Sequence, residues 1–333
     1  MSTDLVIAKR YTRDQAYEVF DTLDVSEATR ADYVARLWPF LSFIENNQFS
    51  LNTFLEFKRE LRGRDDLSAS SKNKYLVVAR IFLKELHRRG ILPTDITANI
   101  RNFRLDKRHK VSGLNDREVE SLEEWCQRYS ILKPREVAII CILYYQGLRI
   151  GEVSGLNWED VLWKSNQMLI KGKGRDDKET IFLHPVTVKA LKRYYDLTQY
   201  YDPEGIKPKG AMFKSRSIPS ESGRITIRGL RYIVNAAFYE QGIEKQVHSL
   251  RHTFVTRLVK HFNGDITKVA KFSRHRSLEM VQIYNDAVLM ESDYKGYIKA
   301  FSDVTLFHTL NLKQTAANQS YCSSSASHML ATP

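Results

Sequence analysis

The chain's chemistry-bearing side chains are scattered between residues 149 and 284. In "HSLRHTFVTRLV", His248 and Arg251 stand three apart, so on a helix they share a face. They fall in its first turn, where unpaired N–H groups and the helix dipole favour an anion. A phosphate placed there meets a guanidinium fork and an imidazole donor together. The same spacing also occurs on ordinary capped surface helices. His248 and His252 are four apart, which raises a metal reading. The zinc-protease pattern requires Glu in second place, and Ser249 stands there instead.

Arg149 and Glu152 form another pair at i, i+3, inside "IICILYYQGLRIGEVSGL". An exposed salt bridge there would be worth little. The apolar flanks predict a buried helix, where an arginine needs a carboxylate or a phosphate to offset lost hydration. Glu152 is therefore expected to orient Arg149 towards an anionic ligand. Lys173 lies in "KGKGRDDKE", where Gly172 and Gly174 suit a tight hairpin. A solvated loop lysine fits that pattern too, and no P-loop pattern is present. A lysine on a hairpin can also protonate a leaving oxygen.

In "SRHRSLEMVQIYND", Tyr284 follows His275 by nine residues. Ser277 can cap a helix carrying Leu278, Met280, Val281 and Tyr284, so Tyr284 has a packing role available. As a nucleophile, a phenol of pKa ~10 must drop by about three units to ionise at pH 7, worth ~4 kcal/mol. Arginines and a histidine around one phosphate supply such stabilisation electrostatically. Tyr284 is catalytic on the condition that Arg149, Lys173, His248, Arg251 and His275 converge on one phosphate.

The elements that must position these groups belong to a chain of 333 residues, long enough for two domains. Its 43% apolar content allows real cores. No apolar run is long enough to span a membrane, and "MSTDLVIAKRY" lacks a signal-peptide core. Three cysteines, Cys126, Cys141 and Cys322, without CxxC spacing fit a reducing cytoplasm rather than a disulfide framework or zinc finger. The net charge of +12 favours polyanions. Basic residues come in local groups, among them Lys72/Lys74, Arg80/Lys84 and "RNFRLDKRHK" with Lys107, Arg108 and Lys110. Nucleic acid is thus preferred over a merely soluble surface, and a membrane surface is disfavoured because the groups are spread over several segments.

The fold class expected is mainly α: an N-terminal helical bundle, then a mostly helical domain with a small antiparallel β-sheet. "SEATRADYVARLWPFLSFI" predicts a helix capped by Ser26 and kinked or broken at Pro39. "SSKNKYLVVARIFLKELHRRG" aligns Leu76, Ala79, Phe82, Leu83 and Leu86 on one face and stops at Gly90. Lys72, Lys74, Arg80 and Lys84 fall mostly elsewhere and are expected to contact DNA. The organisation expected is residues 1–105 as the helical DNA-binding domain, 106–113 as a linker, 114–310 as the catalytic domain and 311–333 as a disordered tail. "VLWKSNQMLIKGKGRDDKETIFLHP" reads as short strands around a hairpin, followed by helices opening at Pro185 and His248. Tyr294, Tyr297, Ile298 and Phe301 form one stripe, suited to a neighbouring protomer or to burial in its own chain.

The ordered set Arg…Lys…His-x-x-Arg…His…Tyr resembles the tyrosine recombinase (phage integrase) family. "GLRIGEVSGLNWEDV" resembles its first arginine box, "LIKGKGRDDKETIFL" its β-hairpin, "HSLRHTFVTRLV" its second box and "SRHRSLEMVQIYND" its final box. One departure is Ser273-Arg274 before His275, where the family usually has Leu-Gly. No separate arm-binding domain is evident, which fits the simple two-domain type.

The resemblance implies a clamp on duplex DNA at a specific recombination site. It implies a 3′-phosphotyrosyl intermediate formed by Tyr284. Arg149, Arg251 and His275 would hold the phosphate, with Glu152 in support. Lys173 would be the general acid, and His248 would assist the tyrosine's proton. No cofactor and no metal are implied. Partners would be other copies in a synaptic tetramer, with accessory DNA-bending proteins an open class, in the cytoplasm with the nucleoid. Mobile-element integrase and dimer resolvase are both compatible. A type IB topoisomerase, an inert DNA-binding protein and a metal-dependent nuclease are the competing functions. The intact polar set speaks against the inert binder, and the lack of an acidic cluster speaks against the nuclease.

Overall fold

In the computed structural model of the chain, the described residues are 13–47, 49–105, 113–172, 177–200, 209–216, 223–275, 277–286 and 288. The chain divides into two compact units, Met1–Lys107 and Arg108–Pro333. The stripe at Tyr294, Tyr297, Ile298 and Phe301, the tail at 311–333 and nearly all of the 106–113 linker lie outside the described residues.

The first unit holds α1 (Arg13–Asp21), α2 (Glu27–Asn46), α3 (Thr53–Gly63) and α4 (Ala69–Arg88). The side chain of Ser26 accepts from the Thr29 amide and that of Ser68 from the Ser71 amide, each satisfying an N–H that the helix itself leaves unpaired. The amphipathic face of α4 buries Leu76, Ala79, Phe82, Leu83 and Leu86 as its periodicity predicts. Aromatic rings meet edge to face across this core, Phe40 with Phe57 at 5.0 Å and Phe20 with Phe82 at 6.0 Å between centroids. Of the kink or break expected at Pro39, the break does not occur: α2 runs through it. Proline removes one backbone donor, but Val34, Leu37, Phe40, Leu41 and Ile44 around it are all buried. Burial of that face outweighs one lost hydrogen bond.

The second unit holds α5 (Asp116–Tyr129), α6 (Pro134–Tyr145), α7 (Ile150–Ser154), β1 (Val161–Leu162), β2 (Gln167–Lys171), β3 (Lys178–Phe182), α8 (Pro185–Tyr200), α9 (Ile227–Glu240), α10 (His248–His261) and α11 (Ile266–Ser273). A last helical run covers 278–286. The three strands form one antiparallel sheet in the order β1-β2-β3, with Lys171 opposite Lys178 and Ile170 opposite Glu179. The mainly helical fold with a small antiparallel sheet is the class the sequence predicts. No helix among the described residues is long and apolar enough to cross a membrane.

Two apolar clusters organise this unit. The larger is centred on α6, buried from Pro134 to Tyr144, and includes Leu191 of α8, Leu230 and Val234 of α9 and Leu250 of α10. The smaller comprises Val255 and Val259 of α10, Val269 of α11, and Val281 and Tyr284 of the last helical run. Helix α10 thus contributes its early residues to one cluster and its later residues to the other.

The sequence "REVAIICILYYQGLRIGEVSGL" reads as a mostly apolar helix with a Gly interruption; at that interruption the structure has a full break over 146–149, between α6 and α7. The cause is tertiary. Gly147 has φ +56, and a Cβ there would stand 2.2 Å from the Phe254 ring of α10. Only glycine fits both that backbone conformation and that close approach.

Candidate active site

Arg149 is the residue before α7 rather than a residue inside a helix. Its backbone N–H donates to Glu152 Oε2 at 2.8 Å, and its Nη1 donates to Glu152 Oε1 at 3.1 Å. The short helix therefore starts by closing on its own carboxylate. The Glu152 side chain is almost fully buried, while that of Arg149 keeps 39% exposure. Burial works to raise the Glu152 pKa; Arg274, the Arg149 N–H and the Arg149 charge outweigh it and hold Glu152 below the ordinary carboxylate range.

Arg251 is 3% exposed. Its guanidinium donates from Nη1 to the Gly147 carbonyl and from Nη2 to the Ser273 carbonyl at 2.8 Å, and Nη2 lies 3.4 Å from His275 Nε2. The break before α7 and the end of α11 are thus both tied to α10 through one side chain. His275 is fixed at its other nitrogen by Ser273 Oγ, 2.7 Å from Nδ1. Neutral carbonyls satisfy Arg251's donors without cancelling its charge, which leaves that charge available to an anion.

Tyr284 is 6% exposed, with its ring in the smaller apolar cluster. Its hydroxyl is 2.6 Å from His252 Nδ1 on α10 of the same chain. Packing and polar engagement are both realised: the ring is core and the oxygen is hydrogen-bonded. His252 packs edge-on against His248 at 4.5 Å between ring centroids. His252 enters the sequence reasoning only as a metal candidate, although its place one residue after Arg251 puts it on the buried side of α10. The His248 ring is exposed at the start of α10. The structure therefore brings together Arg149, Glu152, Arg251, His275 and Tyr284, with His248 one ring beyond His252. Lys173 lies outside the described residues, as do Lys107, Arg108 and Lys110.

In the first unit, Lys74 and Lys84 are exposed. Lys72 donates to the Arg62 carbonyl at 3.0 Å. Arg80 is engaged inside its own unit: Nη1 donates to Asn102 Oδ1 and Nη2 to the Ile100 carbonyl, both at 2.7 Å, over the Phe54 ring.

Burial and mutual repulsion among its cations dominate the electrostatics of the site. Burial, then the charges of Arg149 and Arg274, bring Arg251 down to about 10. Burial, then Arg251, Arg149, Arg274 and His248, bring His275 down to about 4. Burial raises the Tyr284 phenol above its usual value, and Arg251 and Arg149 offset this only in part. The resting phenol is therefore protonated, and its activation needs a proton acceptor as well as positive charge.

A pH dependence follows from His275. The unfolded chain takes up a proton near pH 6.5, the folded chain only near 4. The His275 contribution to folding stability is thus constant above about 6.5 and falls as pH drops through that window. The buried Glu152 begins to contribute only below its own ordinary value of 4.5. Urea unfolding between pH 7.5 and 5 is expected to show this loss, and His275→Gln is expected to flatten it.

The phage integrase family matches residues 113–289. The chain is 25% identical over 300 residues to the tyrosine recombinase XerC of Caldanaerobacter subterraneus, a match covering 88% of this chain and 79% of that protein. It is 28% identical over 243 residues to the tyrosine recombinase XerC of Oceanobacillus iheyensis, covering 71% and 77%. Among solved structures, the XerH site-specific recombinase bound to palindromic difH substrate, in a post-cleavage complex, matches with a TM-score of 0.67 at 18% identity, covering 87% of this chain and 85% of that one. At that identity the likeness is one of fold.

Proposed function

The chain belongs to the phage integrase family, and from that premise we propose that it is a site-specific DNA recombinase that cuts and rejoins duplex DNA through a 3′-phosphotyrosyl intermediate. The observation that carries the reading is the Tyr284 hydroxyl, hydrogen-bonded to His252 and close enough to Arg251 and Arg149 to feel both charges.

In the proposed step, the Tyr284 oxygen attacks the scissile phosphorus. Its proton passes to His252 Nδ1, with His248 adjacent to receive or relay it. Arg149, Arg251 and His275 hold the non-bridging oxygens, the two guanidinium groups by charge and the neutral imidazole as a hydrogen-bond donor, and they stabilise the phosphorane more than the diester. The bond from phosphorus to the 5′ oxygen breaks, and Lys173 supplies the proton that makes the 5′-hydroxyl. Attack by a 5′-hydroxyl from another strand reverses the sequence and releases the tyrosine. One ester is exchanged for another, so bond energy is conserved and no nucleotide is consumed.

The partner is duplex DNA carrying a specific recombination site, attracted by the chain's net charge of +12. Lys74 and Lys84 of the first unit serve as phosphate contacts, with Lys72 alongside, while Arg80 braces the segment at residues 100–102. The residue ranges 1–105 and 114–310 act as the DNA-binding and catalytic halves of a clamp, joined by 106–113. Exchange takes place between protomers of a tetramer, with the stripe at 294–301 as the docking segment, in the cytoplasm with the nucleoid.

Covalent trapping on a nicked suicide substrate tests the reading. A denaturation-resistant protein–DNA adduct is expected, with the attached peptide containing Tyr284 and its yield unchanged by EDTA. No adduct would return the chain to a DNA-binding protein. Relaxation of plasmids lacking paired sites would indicate a topoisomerase, and cutting lost in EDTA would indicate a nuclease.

A further inference from the structure

We propose that Arg274 is a positioning residue for the strand-transfer reaction, locking the loop that carries His275 to Glu152 and to the base of the β2–β3 hairpin. The proposal rests on the recombinase reading and adds a residue to it.

Arg274 follows the end of α11 with φ 57 and ψ 39, the left-handed conformation. Any residue with a Cβ is strained there, and glycine is not. A long cationic side chain at such a position needs a compensating interaction, and the side chain has two. It is 5% exposed, with Nη2 donating to Glu152 Oε2 at 3.1 Å and Nη1 to Glu179 Oε1 at 3.4 Å. Its Nε is buried and has no hydrogen-bond partner among the described residues. A guanidinium moved this far from water, at a strained backbone position and with one donor unmet, is costly unless the carboxylates hold it.

The geometry shows what is being held. Glu152 gives one oxygen to the Arg149 Nη1 and the other to the Arg149 N–H and Arg274 Nη2. Glu179 stands on β3, one rung from the last strand pair, Lys171 opposite Lys178. Lys173 is two residues beyond that rung in sequence. On the other side, Ser273 accepts from Arg251 through its carbonyl and contacts His275 through Oγ, and His275 is the next residue after Arg274. One buried side chain therefore links the α7 start, the hairpin base and the histidine loop, three segments far apart in sequence. Its charge also helps depress Arg251 and His275. Arg274 does not need to touch the phosphate to act: misplacing the groups that do by about 1 Å costs on the order of 100-fold in rate.

The test uses the full-length chain and the nicked suicide substrate, with Arg274→Gly, Arg274→Lys, Glu179→Gln and the Gly/Gln double variant. Arg274→Gly relieves the backbone strain, so folding is expected to be retained. Its single-turnover cleavage is expected to fall about 100-fold, while DNA affinity and its salt slope stay as in the parent. Arg274→Lys is expected to recover part of the rate. Glu179→Gln is expected to slow cleavage, and the double variant to be no slower than Arg274→Gly, as coupled groups behave. Amide exchange is the second readout and needs no recombinase activity: Arg274→Gly and Glu179→Gln are each expected to speed exchange over 167–182 and leave α6 unchanged. Three results would overturn the proposal: cleavage by Arg274→Gly within twofold of the parent, a salt slope reduced by about one in that variant, which marks a direct phosphate contact, or unaltered exchange in the hairpin. If the parent chain itself forms no adduct, the recombinase reading fails, and hairpin exchange still decides whether Arg274 is the lock.

Discussion

A Tyr284→Phe chain is expected to bind its DNA site and to leave no protein covalently attached to it. The substitution removes one oxygen and keeps the ring, so the apolar packing with Val255, Val259, Val269 and Val281 persists. The lost hydrogen bond to His252 is worth about 1 kcal/mol of stability, too little to unfold a chain with cores of this size. The chemistry, in contrast, has no substitute nucleophile within the proposed step. Losses of ~10⁶ in kcat accompany removal of such a group in other enzymes, which on a denaturing gel means no shifted band. A shifted band from this variant would remove Tyr284 from the nucleophile's role. It would also leave the short hydroxyl–imidazole contact as packing alone.

Arg149→Ala is expected to bind DNA, to fold, and to cleave about 10²–10³ times more slowly, the range seen when one preorganised transition-state donor is lost. Folding is expected to survive because of how Glu152 is held. When the Arg149 guanidinium goes, Glu152 keeps the Arg149 backbone N–H and the Arg274 guanidinium. The removed side chain is 39% exposed and its ion pair partly solvated, so its contribution to stability is at most about 1 kcal/mol. Arg251 offers no such clean test, because its truncation would strand the Gly147 and Ser273 carbonyls in the interior. Burst kinetics on the suicide substrate, with binding followed separately by gel shift, separate the two contributions. Cleavage near the parent rate would take Arg149 out of the site.

The sequence makes some of this arrangement legible and hides the rest for physical reasons. His248 and Arg251 open a helix where a phosphate is favoured, and the spacing alone places them there. The Arg149–Glu152 pairing is also readable at i, i+3, but its setting is not. The chain breaks before α7 because Gly147 lies against Phe254, a contact over a hundred residues away that no local pattern records. His252 shows the same limit. Its type suggested a metal, and only the packing of the last helical run against α10 discloses its contact with the phenol. Pro39 errs in the other direction, since a local breaker is overridden by a face buried on both sides of it. Arg274 is visible as a departure from a family pattern, whereas its carboxylate partners on α7 and β3 exist only once the chain is folded.

The phenol and the histidine it is hydrogen-bonded to come from one polypeptide. Under the proposed function, a copy of the chain in this arrangement would attack with its own tyrosine and need not borrow one from a neighbour. In the proposed tetramer on DNA, restraint would be harder to achieve than attack, since cutting every strand at once would sever the duplex. Under that reading, turn-taking would come from how the copies are seated against one another, because the tyrosine and its histidine already sit together within each one.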